Sequence, residues 1–313
     1  MKRNFFLVFF YGTFYALFIF IQFSCISTIH NNKTPLEQTT NLFIPGTQPK
    51  LISRQFAFTE GPAVDSNGNI FFTDQPNNQI WKYSTNGKLS LFTDHSGRSN
   101  GLYVDRKGNI IGCADENGQL VSFSPDGKMQ VLMNGANGVR MNGPNDLWID
   151  AKGGIYFTDP YYERVYWEEP KPVQHKENVY YLPFAATEPF VVADDIVKPN
   201  GIIGTADGQN LFIADIGDNK IFKYEIKSDG HITAKILFAP MGSDGMTLDN
   251  NGNLYLTGKG VTIFDLNGKK ITNIPINEDW TANLCFGGKD GKELFITASK
   301  GIYIMQMLVS GMK

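Results

Sequence analysis

Residues 60–74 read Glu60-Gly61-Pro62-Ala63-Val64-Asp65-Ser66-Asn67-Gly68-Asn69-Ile70-Phe71-Phe72-Thr73-Asp74, and the layout of this stretch returns along the whole chain. A polar residue opens a short apolar run, a Gly-containing turn follows, and a second apolar run begins. Val, Ile, Phe and Thr flanking an Asn-Gly turn favour a β-hairpin. Five later segments share the layout, opening at Asn100-Gly101-Leu102, Asn145-Asp146-Leu147, Asn200-Gly201-Ile202, Asp244-Gly245-Met246 and Asn283-Leu284-Cys285. The spacings are 40, 45, 55, 44 and 39 residues. Four of the repeats carry an Asp five residues on (Asp65, Asp105, Asp150, Asp249), ahead of a turn glycine (Gly68, Gly108, Gly153, Gly252).

Each full repeat holds four strand-like runs. In the first they are Pro62–Val64, Ile70–Thr73, Ile80–Tyr83 and Leu89–Phe92; in the second Leu102–Val104, Ile110–Cys113, Leu120–Phe123 and Met129–Leu132. Four antiparallel strands returning at this period describe propeller blades, and no sustained 3.6-residue pattern follows residue 40. The expected fold is all-β: a six-bladed β-propeller over residues 49–309. The last repeat has three runs, and a spare one, Lys50–Ser53, precedes the first repeat. Its pairing with the last blade would close the ring and remove an exposed sheet edge. The spacing of 55 places an insertion at Tyr161 to Lys176, rich in aromatic and charged residues, which reads as a long loop leaving the third blade.

The composition agrees with many short strands and tight turns: 32 Gly, 24 Phe, 13 Tyr, and charged residues at only 19%. A formal net charge of −3, with no long Lys/Arg run, excludes a typical nucleic-acid binder. Lys2 and Arg3 precede an apolar run from Phe5 to Phe23, so residues 1–25 read as an export signal, alternatively as an uncleaved anchor. Cys25 after Ser24 also fits a lipoprotein cleavage site, although Ile21-Gln22-Phe23-Ser24 departs from the usual lead-in. Either way the expected location is outside the cytoplasm, periplasmic or outer-surface, with the membrane engaged only through the N-terminus. Residues 26–48 read as a polar tether. Cys113 and Cys285 lie in apolar runs and are expected to be buried free thiols.

The residue opening each repeat is Glu60, Asn100, Asn145, Asn200, Asp244 or Asn283, always an oxygen-bearing side chain. Equivalent repeat positions lie at equivalent heights around a propeller axis, so six such groups are expected to face the mouth of the central tunnel. Taken singly, Asn or Asp before Gly is an ordinary turn residue. Glu60 is a poor turn former, and the six together favour convergence. Packed carboxylates raise one another's pKa unless a cation lies between them. Oxygen-only ligation suits Ca2+, with Mg2+, Mn2+ or Zn2+ as alternatives; all four His residues (His30, His95, His175, His231) lie outside the ring.

These residues also resemble the gluconolactonase and senescence marker protein (regucalcin) family of six-bladed propellers, closest to its longer bacterial members, over roughly residues 50 to 307. The motifs carrying the resemblance are Phe58-Thr59-Glu60-Gly61-Pro62, Arg140-Met141-Asn142-Gly143-Pro144-Asn145-Asp146, Tyr156-Phe157-Thr158-Asp159-Pro160-Tyr161, Lys198-Pro199-Asn200-Gly201, Ser243-Asp244-Gly245-Met246 and Asn283-Leu284-Cys285-Phe286-Gly287-Gly288. The resemblance implies that Glu60, Asn200 and Asp244 are metal ligands and that Asn145 is a ligand or substrate contact. It further implies that Asp244 is the base for metal-activated water, opening a small sugar lactone. Asn100 and Asn283 remain supporting residues around the ring. Regucalcin-like members carry an Arg two residues before the equivalent of Asn145, where this chain has Gly143. Arg140 and Asn142 are the corresponding substrate-contact candidates. Diisopropyl fluorophosphatase, a related propeller, uses a similar Glu/Asn/Asn/Asp calcium site. An ester or phosphotriester hydrolase is therefore the alternative enzyme reading, and a non-catalytic propeller with a structural ion the alternative of another class.

Overall fold

The computed structural model describes residues 41–167 and 176–312. The export segment, Cys25, His30, His175, most of the tether and the central part of the 161–176 loop lie outside the described residues. Among the described residues no helix is long and apolar enough to cross a membrane.

Six four-stranded antiparallel sheets, counted among the described residues, form the blades of a propeller. Their innermost strands are Thr59–Val64, Ser99–Val104, Leu147–Ile149, Pro199–Gly204, Met246–Leu248 and Thr281–Gly287. Five blades use four consecutive strands. In the sixth, Lys50–Ser53 is the outermost strand, antiparallel to Gly301–Gln306 with Lys50 opposite Ile304.

The hairpins between the first two strands follow from their Asp and Gly. Asp65 Oδ1 accepts the backbone N–H of Asn67 and of Asn69, both at 2.9 Å, and Gly68 takes a φ of +84° that a side chain would resist. Asp105, Asp150 and Asp249 repeat the arrangement. These aspartates are turn-builders facing away from the ring.

The core is divided among the interfaces between blades. Phe71 and Ile80 of the first blade pack with Leu102, Ile110 and Phe123 of the second. Phe157 and Tyr180 of the third meet Cys113 and Leu120 of the second, and Phe56 and Phe72 of the first meet Cys285 and Phe295 of the sixth. Second strands such as Ile155–Asp159 are buried along their whole length because a neighbouring blade covers each face. Each buried Phe contributes about 2–3 kcal/mol of transfer free energy. Cys113 and Cys285 are both buried, and among the described residues neither is in a disulfide.

The packed body reaches further than the sequence expectation of 49–309. Leu42 and Phe43 are buried beside the fifth and sixth blades, and Leu308 N–H donates to the Leu42 carbonyl at 2.8 Å. At the other end, Met312 N–H donates to the Leu248 carbonyl at 3.0 Å. A lone apolar cluster, Leu42-Phe43-Ile44, in a largely polar stretch carries no periodicity, so the sequence alone assigns it to the tether.

Inner strands come very close at the axis. A Cβ on Gly61 would lie 2.0 Å from the carbonyl oxygen of Asn100, backbone that cannot swing aside, at a φ of +42°. Gly61→Ala is expected to lower the unfolding midpoint by roughly 10 °C. A thermal melt followed by circular dichroism reads this, and an unchanged midpoint would contradict the close approach.

Candidate active site

Glu60, Asn100, Asn145 and Asn200 are all buried around the axis at one end of the tunnel, and Asp244 is half-buried. A threonine in, or directly after, the second strand of alternate blades registers the ring. Thr73 Oγ1 donates to the Asn100 carbonyl at 2.9 Å, Thr158 Oγ1 to the Asn200 carbonyl at 2.7 Å, and Thr257 Oγ1 to the Ala282 carbonyl at 2.8 Å. The ring position of the sixth blade is therefore Ala282.

Asn283, placed in the ring by the repeat comparison, lies one residue further along. Its N–H donates to Thr297 Oγ1 at 3.1 Å, as the Asp146 and Gly245 N–H groups donate to Thr158 and Thr257 at 3.2 and 2.8 Å. Asn283 and Asp146 thus project from a level of the tunnel where other blades have glycine. Asn283 still meets the ring, because its Nδ2 donates to Glu60 Oε2 at 3.1 Å. Asn100 spends its Nδ2 on the Asn145 carbonyl at 3.3 Å.

Three carboxylates share this low-dielectric end of the tunnel. Burial pushes Glu60 well above the usual carboxylate range, and the charge of Asp244 pushes it further. Burial raises Asp146 to about 7, although its Oδ1 accepts the Leu147 N–H at 2.9 Å. Asp244 is raised to about 6 by burial, restrained by bonds from Trp280 and Asn200 and by the charge of Arg164. The Trp280 Nε1 donates to Asp244 Oδ2 at 2.6 Å.

Asn200 is the decisive residue for a ligand. Its Nδ2 donates to Tyr162 Oη at 3.1 Å, and its amide lies near enough to Asp244 to hold that carboxyl's pKa down. Among the described residues its buried Oδ1 has no hydrogen-bond partner, which ordinarily costs about 1–3 kcal/mol. A buried amide oxygen beside buried carboxylates, all neutral or anionic oxygen donors, fits a hard divalent cation. Among the described residues no three His, Cys, Asp or Glu side chains converge on one point. A cation here would rest on carboxylates together with the amide oxygens of Asn145 and Asn200. His95 and His231 are exposed and paired with Asp94 and Asp229, and neither belongs to the ring.

The substrate-contact candidates Arg140 and Asn142 are engaged with the scaffold. Arg140 Nη1 donates to the Met141 carbonyl at 3.0 Å and Nη2 to the Glu116 carbonyl at 2.8 Å, with the guanidinium over the Trp167 ring. Asn142 is fully buried, its backbone N–H donating to Asp159 Oδ2 at 3.0 Å and its Nδ2 to the Asp159 carbonyl at 3.2 Å. Tyr162 and Trp280, which sequence reasoning did not single out, touch ring residues directly. Both sit in connections between strands, where no repeat marks them. A polar groove of about 520 Å³, lined by Arg54, Asn277, Glu278, Asp279, Ser299 and Lys300 among others, shares no residue with the ring.

Residues 45–300 match the model of the SMP-30/Gluconolactonase/LRE-like region. The chain belongs to this family. A gluconolactonase of Zymomonas mobilis is 26% identical over 282 residues, spanning 81% of this chain and 79% of that protein. An X-ray structure of a protein provisionally called a gluconolactonase superposes with a TM-score of 0.81 at 26% identity, over 88% of this chain and 97% of that one. A gluconolactonase from Xanthomonas campestris superposes with a TM-score of 0.79 at 24% identity, over 86% and 92% of the two chains. Membership of the SMP-30/gluconolactonase family supports a lactone hydrolase.

Proposed function

We propose that this chain is a divalent-metal-dependent lactonase opening a small sugar lactone, with calcium as the resident ion. The observation that carries the metal is the buried Oδ1 of Asn200, without a hydrogen-bond partner among the described residues, next to Asp244 and in one ring with Glu60. Three carboxylates with raised pKa values describe a site short of positive charge. Glu60, Asn145, Asn200 and Asp244 would hold the ion, with Asn100 and Asn283 bracing them. Magnesium, manganese and zinc are the competitors; an all-oxygen donor set ranks calcium first and zinc last.

The ion, when bound, supplies Lewis acidity toward a carbonyl oxygen and acidifies water. The protein supplies the proton path. Asp244 is half-buried at the mouth and titrates near 6, so at neutral pH its carboxylate is available as a base. Trp280 Nε1 donates to Oδ2, so the proton from water is taken at Oδ1, the oxygen without that bond. Water oxygen bonds to the lactone carbonyl carbon, its proton passes to Oδ1, and the ring C–O bond breaks. The leaving ring oxygen takes that proton back as a hydroxyl, and the product is an open hydroxy acid.

The test is hydrolysis of glucono-δ-lactone followed by pH-stat, before and after chelation, with Ca2+, Mg2+, Mn2+ or Zn2+ restored singly. Loss on chelation and recovery with calcium are expected. Lactone turnover indifferent to chelator would remove the metal, and turnover of a fluorophosphate without lactone turnover would replace the substrate class.

A further inference from the structure

Asp115 stands where its own blade does not need it. In the first, third and fourth blades an Asp ends the second strand and receives two backbone N–H groups from the incoming connection. Asp74 takes those of Ala57 and Phe58, both at 3.1 Å; Asp159 those of Asn142 and Gly143, at 3.0 and 2.8 Å; Asp215 those of Val197 and Lys198, both at 3.0 Å. In the second blade that position is Ala114, which pairs with Ser99 as Asp74 pairs with Thr59. The incoming connection is held there by Asn78 Oδ1, which accepts from Ser96 Oγ at 3.0 Å and Arg98 N–H at 2.8 Å.

The carboxylate has moved one residue on, to Asp115, and its partners come from elsewhere. Oδ2 accepts from Arg164 Nε at 2.8 Å, Tyr166 Oη at 2.8 Å and Gln75 Nε2 at 3.2 Å, and Oδ1 from Trp167 Nε1 at 2.9 Å. Three of these four donors belong to the segment 161–167 of the third blade. A buried carboxylate is a costly group to build, and here a guanidinium and three further donors offset that cost. Its effect is to pin that segment across the second blade. The same segment carries Tyr162, whose Oη accepts the Asn200 Nδ2 hydrogen.

The Asn200 amide has two N–H groups and one oxygen. The carboxylate of Asp244 can only accept, so the amide turns its N–H groups toward it; Nδ2 donates to the Tyr162 phenol oxygen, and Oδ1 is left without a partner among the described residues. We propose that Asp115 is a positioning residue that acts through Tyr162 to hold the Asn200 carbonyl oxygen ready for the cation. This rests on the cation reading above and reaches a residue that lies outside the ring.

The test is calcium titration by calorimetry on the metal-free full chain, with thermal melts of the same samples. Tyr162→Phe is expected to weaken calcium binding about five- to tenfold, and Asp115→Asn by a similar factor. The double variant should bind no worse than about twofold below Tyr162→Phe alone, because the two act in series. Tyr166→Phe, which removes one donor from Asp115, guards against a folding defect and should cost about two- to threefold. Calcium affinity within twofold of the parent in both single variants would overturn the proposal. So would losses that multiply in the double variant, or an Asp115→Asn that lowers the metal-free melting point and leaves affinity alone. A parent chain binding no divalent ion would instead remove the cation reading itself, and this inference with it.

Discussion

Asp244→Asn is expected to lower kcat/KM for glucono-δ-lactone about 10³-fold, the scale on which a positioned base acts. The substitution keeps the volume and leaves an oxygen that can still accept from Trp280 Nε1, whose present bond to Oδ2 is 2.6 Å. What it removes is the proposed proton acceptor and one anionic group of the proposed cation site. The metal-free fold should not suffer. Asp244 is a carboxylate whose charge burial disfavours and whose charge in turn pushes Glu60 upward, so the metal-free melting point should hold or rise. The stabilisation gained on adding calcium, about 2.7 kcal/mol at a hundredfold excess over Kd for an intact site, should shrink sharply. Steady-state kinetics and paired melts read both arms. Turnover within tenfold of the parent would remove Asp244 from the chemistry.

The second large effect is an inverted pH dependence of stability in the metal-free chain. Glu60, Asp146 and Asp244 all have folded-state pKa values above their ordinary ones, Asp146 at about 7 and Asp244 at about 6, each because of burial first. Such groups bind more protons in the native state than in the unfolded chain. Their contribution is therefore fully present below the unfolded value near 4 and is lost as pH rises through 6 and 7. For Asp146 alone, a carboxyl that titrates at about 7 in the fold and near 4 in the unfolded chain contributes roughly 4 kcal/mol. Chelator-treated protein should accordingly melt at a lower temperature at pH 8 than at pH 5. Saturating calcium should flatten or reverse the trend, because the cation takes the place of the protons, and calcium affinity should rise with pH over the same window. Glu60→Gln should weaken the dependence. A metal-free chain that grows steadily more stable from pH 5 to pH 8 would contradict the picture of crowded buried carboxylates.

The ring shows how far a repeat can be read. Glu60, Asn100, Asn145, Asn200 and Asp244 were visible because the hairpin chemistry around them returns in phase. Asn283 was misplaced by one residue: the sixth repeat has Thr281-Ala282-Asn283-Leu284, with no glycine behind the ring position to mark the register. Along a strand the side-chain period is two, so a one-residue slip changes the face and leaves the apolar pattern nearly intact. Asp146 was hidden by its neighbour Asn145, since adjacent residues compete for one assignment in a comparison by repeat.

Tyr162, Trp280 and Asp115 carried no signal that tied them to the ring. Tyr162 meets Asn200 across 38 residues of chain, Trp280 meets Asp244 across 36, and Arg164 meets Asp115 across 49. Contacts of that kind are made between connections on different blades, where neither period nor turn chemistry constrains the residue. The 161–176 insertion could be recognised by its length, but not the carboxylate on which it is anchored.

The amino-acid sequence alone determined the number of blades and the chemical character of the tunnel mouth. Both are properties of a repeat, set by local turns and by alternation along short strands. Only the tertiary structure decided which oxygen is left over and which carboxylates resist ionisation. Those depend on bonds between blades that orient the Asn200 amide, and on burial from water that no single repeat can impose.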